Sequence, residues 1–236
     1  MLARLARRRR APLVPDARRL LSSCSSSTQD AVRELLRTTA QPVTVITAAS
    51  PSPDAAQFHG ATLSSFTSVS MSPWPVIAFS IRTPSRMATA LNHQSGSRDP
   101  HMVLNILSAS QSHHAVRFSR PDLHPSPFAG ISTHLTTEGI PILSGCLGAL
   151  SCVLLKSILL DRDSLHSLGV PDTALDSNEQ GLTPTLEPSS ELFLARVVRV
   201  EAPTYSTEAS PESVLPLVYH HRQYVTVHNP ERPQDR

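Results

Sequence analysis

The sequence predicts a mainly β domain, a barrel with short helical inserts between its strands. Segments rich in β-branched residues recur along the chain and indicate six or seven strands. The helical patterns between them are short and do not alternate strictly with the strands, which disfavours a doubly wound sheet. No GxGxxG motif follows the first strand, so the usual dinucleotide fingerprint is missing. A barrel accommodates these elements best.

Alternation and continuous apolar runs locate the strands. Residues 43–49 alternate β-branched side chains, and residues 191–200 alternate in the same way. Residues 76–82 are almost continuously apolar, which is typical of a buried strand. The other predicted strands span residues 58–70, 101–107, 145–160 and 215–227.

Short helices are predicted between the strands. Asp30 suits the N-cap of a helix over residues 30–40, and Thr83-Pro84-Ser85 begins a second helix. Ser108 or Ser110 caps a third. The polar segment 161–190 contains three prolines and has little periodicity, so it is predicted to be an insertion or a flexible loop.

The first 21 residues differ in charge from the rest of the 236-residue chain. They hold seven of its 21 basic residues and one of its 19 acidic residues, so the remainder carries a net charge of −4. An arginine-rich, acid-poor start is typical of a transit peptide, and we expect mitochondrial import to the matrix; a disordered basic tail is the alternative. The mildly acidic remainder argues against nucleic acid or anionic membrane as a partner, and no apolar run is long enough to span a bilayer. The predicted domain covers 30–228, followed by a flexible tail over 229–236.

The cysteines and histidines do not follow a metal-binding pattern. Cys146 and Cys152 lie in an apolar stretch with no CxxC motif, so both are predicted to be small core residues and not part of a disulfide framework or zinc site. Adjacent residues of a strand point to opposite sides, and no carboxylate pattern such as HExxH accompanies the pairs His113-His114 and His220-His221, so surface histidines are expected there. No metal is predicted.

Two polar segments stand where a ligand site is expected. Residues 60–73, GATLSSFTSVSMSP, place hydroxyl groups on both faces of a strand; ligand hydrogen bonds would explain them, and so would a solvated edge strand or Ser/Thr turns. Residues 80–86, SIRTPSR, place two arginines where an apolar strand runs into a helix start. Helix N-terminal amides beside a guanidinium favour an anion such as phosphate.

Taken together, six segments resemble the flavin reductase-like, FMN-binding split-barrel family over residues 33–225, apart from 161–190. In order they are RELLRTTAQPVTVITA, HGATLSSFTSVSMSPWPVIAFSI, HMVLNILSASQSHHAVRFS, GIPILSGCLGALSC, LFLARVVRVE and PLVYHHRQYV. The resemblance implies a split β-barrel and a homodimer with FMN in a groove between the subunits. It also implies NADH or NADPH as hydride donor, with no catalytic acid or base in the reductive half-reaction.

The resemblance also assigns binding roles to particular residues. Phe118 stands either against the dimethylbenzene end of the flavin or in the core. Asn105, with Ile106 beside it, is expected against the flavin. The ring edge and ribityl chain are expected to meet Thr62, Leu63, Ser64 and Ser65, and the phosphate to lie near Ser80, Arg82, Ser85 and Arg86.

One departure from the family pattern leaves the function open between two hypotheses. Family reductases carry a G-D-H segment before the strand that here begins near Leu192, but this chain has EPSSE at 187–191. His166 is a distant candidate for the missing histidine, and no catalytic residue is assigned. The first hypothesis is an FMN-dependent oxidoreductase that accepts hydride from NAD(P)H. The alternative is a non-catalytic FMN-binding or assembly protein; a pyridoxamine-oxidase-like relative lacks motif support.

Overall fold

The computed structural model describes residues 28–51, 58–170, 189–202 and 214–227. The predicted transit peptide, the C-terminal tail and most of segment 161–190 lie outside these ranges. The chain divides into two compact units, Met1–Leu36 and Arg37–Arg236. The helices and strands, in chain order, are α1 (Thr28–Arg37), β1 (Gln41–Pro42), β2 (Thr44–Ala49), β3 (Phe58–Leu63), β4 (Thr67–Ser70), β5 (Val76–Arg82), α2 (Arg86–His93), β6 (Met102–Ile106), α3 (Ser112–Ser119), β7 (Thr133–Leu135), β8 (Pro141–Leu143), β9 (Gly148–Leu159), α4 (Arg162–Ser167), β10 (Ser190–Glu201), β11 (Leu217–His220) and β12 (Gln223–Thr226).

A seven-stranded antiparallel sheet forms the main layer of the second unit. Its strand order is β3-β2-β6-β9-β10-β5-β4, and two smaller sheets, β1-β11-β12 and β7-β8, accompany it. The strands pair without parallel crossovers, so short turns and the short helices α2 and α3 suffice to connect them. This arrangement confirms the predicted mainly β fold with short helical inserts.

The predicted strand over 58–70 is in fact two strands on opposite edges of the main sheet. β3 ends at Leu63 and β4 begins at Thr67, so only residues 64–66 connect the two edges. Such a connection spans at most about 14 Å, and the seven strands must therefore curl until their edges approach. The Ser65 hydroxyl holds the connection between the two edges against β5. Its Oγ accepts the Ser80 N–H at 2.9 Å and lies 3.1 Å from the Ser80 carbonyl oxygen.

Buried apolar side chains of the described residues form three clusters, and the largest of them covers one face of the main sheet. Phe79 of β5 and Phe193 of β10 are paired across neighbouring strands, and their rings stack with centroids 5.4 Å apart. Leu91 of α2 packs against the same cluster and is fully buried. Cys146 and Cys152 are buried free cysteines, which confirms their prediction as core residues.

The helix starts agree with the sequence at two places and differ at two. Ser85 caps α2, accepting the Ala88 N–H at 3.5 Å. α1 begins at Thr28, so Asp30 stands in its first turn and not at its cap. Ser108 is the N-cap of the 3₁₀ turn Ala109–Gln111, as predicted, and this turn leads into α3 at Ser112. The start of segment 161–190 forms the helix α4, which was expected to be irregular.

No helix in the described part of the chain is both long and apolar enough to cross a membrane.

Candidate functional site

A cavity of about 630 Å³ opens between strand β3, the end of β5, the start of α2 and the end of α3. Its size falls within the range of pockets that hold drug-sized ligands and nucleotide cofactors. The curled sheet produces it, because the two edge regions that residues 64–66 connect face each other there. Eight of the ten residues predicted to bind a cofactor line it: Thr62, Leu63, Ser64, Ser65, Ser80, Arg82, Ser85 and Arg86.

Three of the hydroxyl groups in this lining serve the fold. Thr62 Oγ1 donates to the Ala115 carbonyl oxygen at 2.7 Å and so attaches β3 to α3. Ser65 closes the sheet, and Ser85 caps α2. Hydrogen bonds within the fold therefore account for some of the hydroxyl groups in 60–73, so a ligand is not needed to explain all of them.

The side chains of Ser64 and Ser80 are different. Neither hydroxyl forms a hydrogen bond with any residue in the part of the chain that the structure describes, yet both side chains line the cavity. They are therefore available to a bound molecule.

Positive charge without a counter-charge distinguishes this cavity. Arg82, Arg86 and Arg117 line it, and its described lining contains no aspartate or glutamate. Arg82 and Arg86 are exposed and form no ion pair within the described ranges. Arg117 is anchored, since Nη2 donates to the Ala129 carbonyl oxygen at 2.6 Å, and its buried Nε has no partner among the described residues. Three guanidinium groups around one cavity attract an anion.

His59 is a further ionisable side chain of this cationic lining. It lies on β3 opposite Ala48 and is half-buried in the cavity wall. Burial lowers the pKa of His59, and the nearby charge of Arg86 lowers it further. Neither His59 nor Arg117 lies in a recognisable sequence motif, and only the curled sheet brings them to the cavity.

Aromatic rings form the wall beneath β3. The Phe118 ring is 3% exposed and packs edge-to-face on Phe128, with centroids 5.0 Å apart; Phe58 contacts Phe128 from the other side at 5.9 Å. A Cβ added to Gly60 would lie 2.5 Å from the Phe118 ring. Phe118 is therefore both a core residue and part of the cavity wall, and Gly60 allows the strand to approach it.

The structure does not bring Asn105 and Ile106 to the cavity. Asn105 is fully buried in the central strand β6; its Nδ2 donates to the Val45 carbonyl oxygen at 3.0 Å, and its Oδ1 accepts the Leu143 N–H at 2.8 Å. Asn105 therefore lies outside this lining, and its amide holds β8 against the main sheet. Its contact with flavin stays a prediction. Ile106 is half-buried and also lies outside the lining.

The histidines that the sequence analysis singled out lie away from the cavity lining. His166 is exposed on α4. His113 is exposed, whereas His114 is half-buried, and burial, with His113 and Arg117 nearby, lowers the pKa of His114 to about 4. His220 Nε2 lies 3.2 Å from the Thr38 carbonyl oxygen. The described residues include no group of three or more His, Cys, Asp or Glu side chains that could hold a metal ion.

Solved structures share this fold. A nitrilotriacetate monooxygenase component B from Mycobacterium thermoresistibile superposes with a TM-score of 0.59 at 22% identity, covering 88% of this chain and 93% of that one. An NADH:FAD oxidoreductase of Streptomyces globisporus gives 0.58 at 19%, covering 88% and 98%. The styrene monooxygenase flavin reductase of Pseudomonas putida S12 gives 0.56 at 21%, covering 84% and 98%. Identities this low establish the shared fold.

Sequence comparison gives the family. An FMN reductase (NADH) from Agrobacterium fabrum is 31% identical over 110 residues, which cover 47% of this chain and 56% of that protein, so the match spans about half of the relative's length. The sequence profile of the flavin reductase-like domain matches residues 36–228. That match includes every described strand and the whole cavity lining, and on this ground the chain belongs to the flavin reductase-like domain family.

Proposed function

We propose that this chain binds FMN in the cavity and transfers hydride from NADH or NADPH to the flavin. The observation that carries the proposal is the lining of that cavity: three arginines and no described acidic side chain, beside an apolar wall. FMN combines a phosphate with a large planar ring, and such a lining complements both parts. Relatives described as an FMN reductase (NADH) and an NADH:FAD oxidoreductase support the reaction class.

The residues present fit this cofactor. Arg82 and Arg86 are cations without a described counter-ion, and Arg86 is the first residue of α2, whose N-cap Ser85 also lines the cavity. These groups would hold the phosphate. Ser64 and Ser80 have hydroxyls available for the polar groups of the flavin, and Phe58, Pro121 and Pro125 contribute apolar surface to the lining.

The protein's own contribution to the reaction is binding and orientation. A bound flavin supplies the redox chemistry, because it accepts a hydride from reduced nicotinamide. The chain positions the two molecules and excludes water, and none of its side chains needs to gain or lose a proton in the hydride step. The lack of a G-D-H segment before β10 is therefore compatible with turnover.

The proposal includes the assembly and location expected from the sequence. A homodimer would bring a second surface to the cavity mouth and enclose the nicotinamide. The arginine-rich residues 1–21 favour delivery to the mitochondrial matrix. Gel filtration with light scattering tests the first point, and imaging of a C-terminally tagged chain with and without residues 1–21 tests the second.

Binding and turnover are tested separately. The full chain is titrated with FMN, FAD and riboflavin, and quenching of flavin fluorescence reports the affinities. Arg86→Gln is expected to weaken FMN binding about tenfold or more, the magnitude of one charge-assisted hydrogen bond, while Arg98→Gln, an exposed arginine outside the cavity, leaves it unchanged. Failure of FMN to bind at micromolar protein concentrations refutes the proposal.

Anaerobic addition of NADH or NADPH to the FMN complex then tests turnover. Loss of the yellow flavin absorbance is expected with at least one of the two nucleotides. A yellow complex that neither nucleotide bleaches leaves the FMN site standing and favours the non-catalytic alternative.

A further inference from the structure

We propose that His59 makes this cavity selective for phosphorylated flavin by taking up a proton when a phosphate group binds beside Arg86. The inference deepens the proposed function and rests on it, since it concerns the phosphate end of the same cavity. It assigns a positioning and specificity role to a side chain that lies outside the two polar segments on which the site was predicted.

The position of His59 relative to Arg86 supports this role. His59 stands on β3, and β3 packs against α2, whose first residue is Arg86. Both side chains line the cavity, and they lie close enough for the charge of Arg86 to act on the His59 ring. A phosphate bound by Arg86 would therefore lie close enough to His59 to interact electrostatically with its ring.

The charge of the cavity lining changes when a phosphate binds. Every ionisable side chain of the described lining other than His59 is an arginine, so nothing there stabilises a second positive charge while the cavity is empty. A phosphate dianion reverses this balance, because its two negative charges compensate Arg82 and Arg86 and favour the imidazolium form. β2, which pairs with β3, carries no titratable side chain, and those on the other elements packed against β3 are Arg82 on β5, Arg86 and His93 on α2, and His113, His114 and Arg117 on α3.

Proton uptake by His59 on binding would make the affinity for a phosphate-bearing ligand depend on pH. If the ring is neutral in the free protein and protonated in the complex, binding takes up a proton. The affinity for a phosphate-bearing ligand then rises as pH falls, by up to about tenfold per pH unit, the limit for one proton. Riboflavin has the same ring system without the phosphate, so its affinity should not carry this dependence.

The experiment compares FMN with riboflavin from pH 6.5 to 8.5 on the full chain. The wild-type ratio of the FMN and riboflavin affinities should rise toward low pH, and His59→Gln should flatten it and weaken FMN binding about tenfold at the acidic end. The phosphate's own titration affects both proteins equally and cancels in the comparison. His93→Gln, an exposed histidine on α2 outside the lining, is the matched control and should behave as wild type.

A second measurement does not depend on affinity. NMR of histidine-labelled protein follows the His59 ring, identified by its absence in His59→Gln, through a pH titration with and without FMN. FMN should move its titration to higher pH, whereas riboflavin should not. A parallel pH profile for wild type and His59→Gln, or a His59 titration that FMN leaves in place, overturns the inference while the proposed flavin site stands. If FMN does not bind at all, the flavin function fails, and inorganic phosphate decides the role of His59: a ring titration that phosphate does not move overturns it too.

Discussion

Replacing Gly60 with alanine tests whether the cavity wall is as tightly built as the structure indicates. The new Cβ would lie 2.5 Å from two atoms of the Phe118 ring and 3.3 Å from Phe128. The Phe118 ring cannot swing aside freely, because it is 3% exposed and packed edge-to-face on Phe128. Either the ring or strand β3 must move, and both line the cavity.

The magnitude follows from two opposing effects. Overpacking of a buried site lowers the free energy of unfolding by about 1–3 kcal/mol. Alanine also restricts the unfolded chain, which returns about 0.4–1 kcal/mol. The net loss is therefore about 0–2.6 kcal/mol, centred near 1.3 kcal/mol, and for a domain of this size the central value lowers Tm by roughly 3–5 °C. Scanning calorimetry measures this, and FMN binding should weaken in parallel because the wall has moved.

A matched control and a rescue make the test specific. Gly148→Ala also changes a strand glycine, but nothing lies within 4 Å of its added Cβ, so stability should stay the same or rise slightly. Combining Gly60→Ala with Phe118→Leu removes part of the clashing ring, and the double variant should lose less than the sum of the single losses. Equal Tm values for Gly60→Ala and Gly148→Ala would refute the close approach described here.

Three further substitutions test other contacts in the second unit. Asn105→Ala should lower the free energy of unfolding by about 2–4 kcal/mol in urea, because two buried backbone groups lose their partners; an unchanged urea midpoint contradicts this role. Ser65→Ala should lose about 1 kcal/mol and speed hydrogen exchange at the Ser80 amide, and an unaltered exchange rate there would argue against the closure. Arg199 lowers the pKa of Glu138 to about 2, so the pair stabilises the fold above pH 4.5 and loses that effect as pH falls toward 2. Glu138→Gln should therefore be less stable than wild type at pH 7, with a gap in urea midpoint that narrows at pH 3; a constant gap excludes the ion pair as its cause.

The sequence predicted the strands and the cavity's polar groups well where the signal is local. Alternation located β2 and β10 within one residue at each end, because a buried face imposes its period on the side chains. A continuous apolar run located β5, which is typical of a buried strand. The run from Ser80 to Arg86 was also predictable, since a strand that leads into a capped helix places its hydroxyl and guanidinium groups at one end.

Other features depended on distance through space. The many hydroxyl groups in 60–73 did not show which of them bond within the fold and which are open to a ligand. In the structure the Ser65 hydroxyl bonds to the Ser80 backbone, whereas the Ser64 hydroxyl has no partner among the described residues. Asn105 was expected at the ligand because its strand resembles one that meets flavin. Its buried amide instead bonds across the sheet to β2 and to the separate hairpin strand β8, a contact that spans 38 residues.

By itself the sequence determined the mainly β fold and the membership of residues 36–228 in the flavin reductase-like family. It also determined the arginine-bearing segment from Ser80 to Arg86, where β5 leads into α2. Each of these features can be predicted from local residue patterns or from the order of the segments along the chain. Only the tertiary structure decided that His59 and Arg117 join Arg82 and Arg86 around one cavity. The physical reason is the curl of the seven-stranded sheet: a connection of three residues draws its two edges together, and side chains far apart in sequence then share one electrostatic environment.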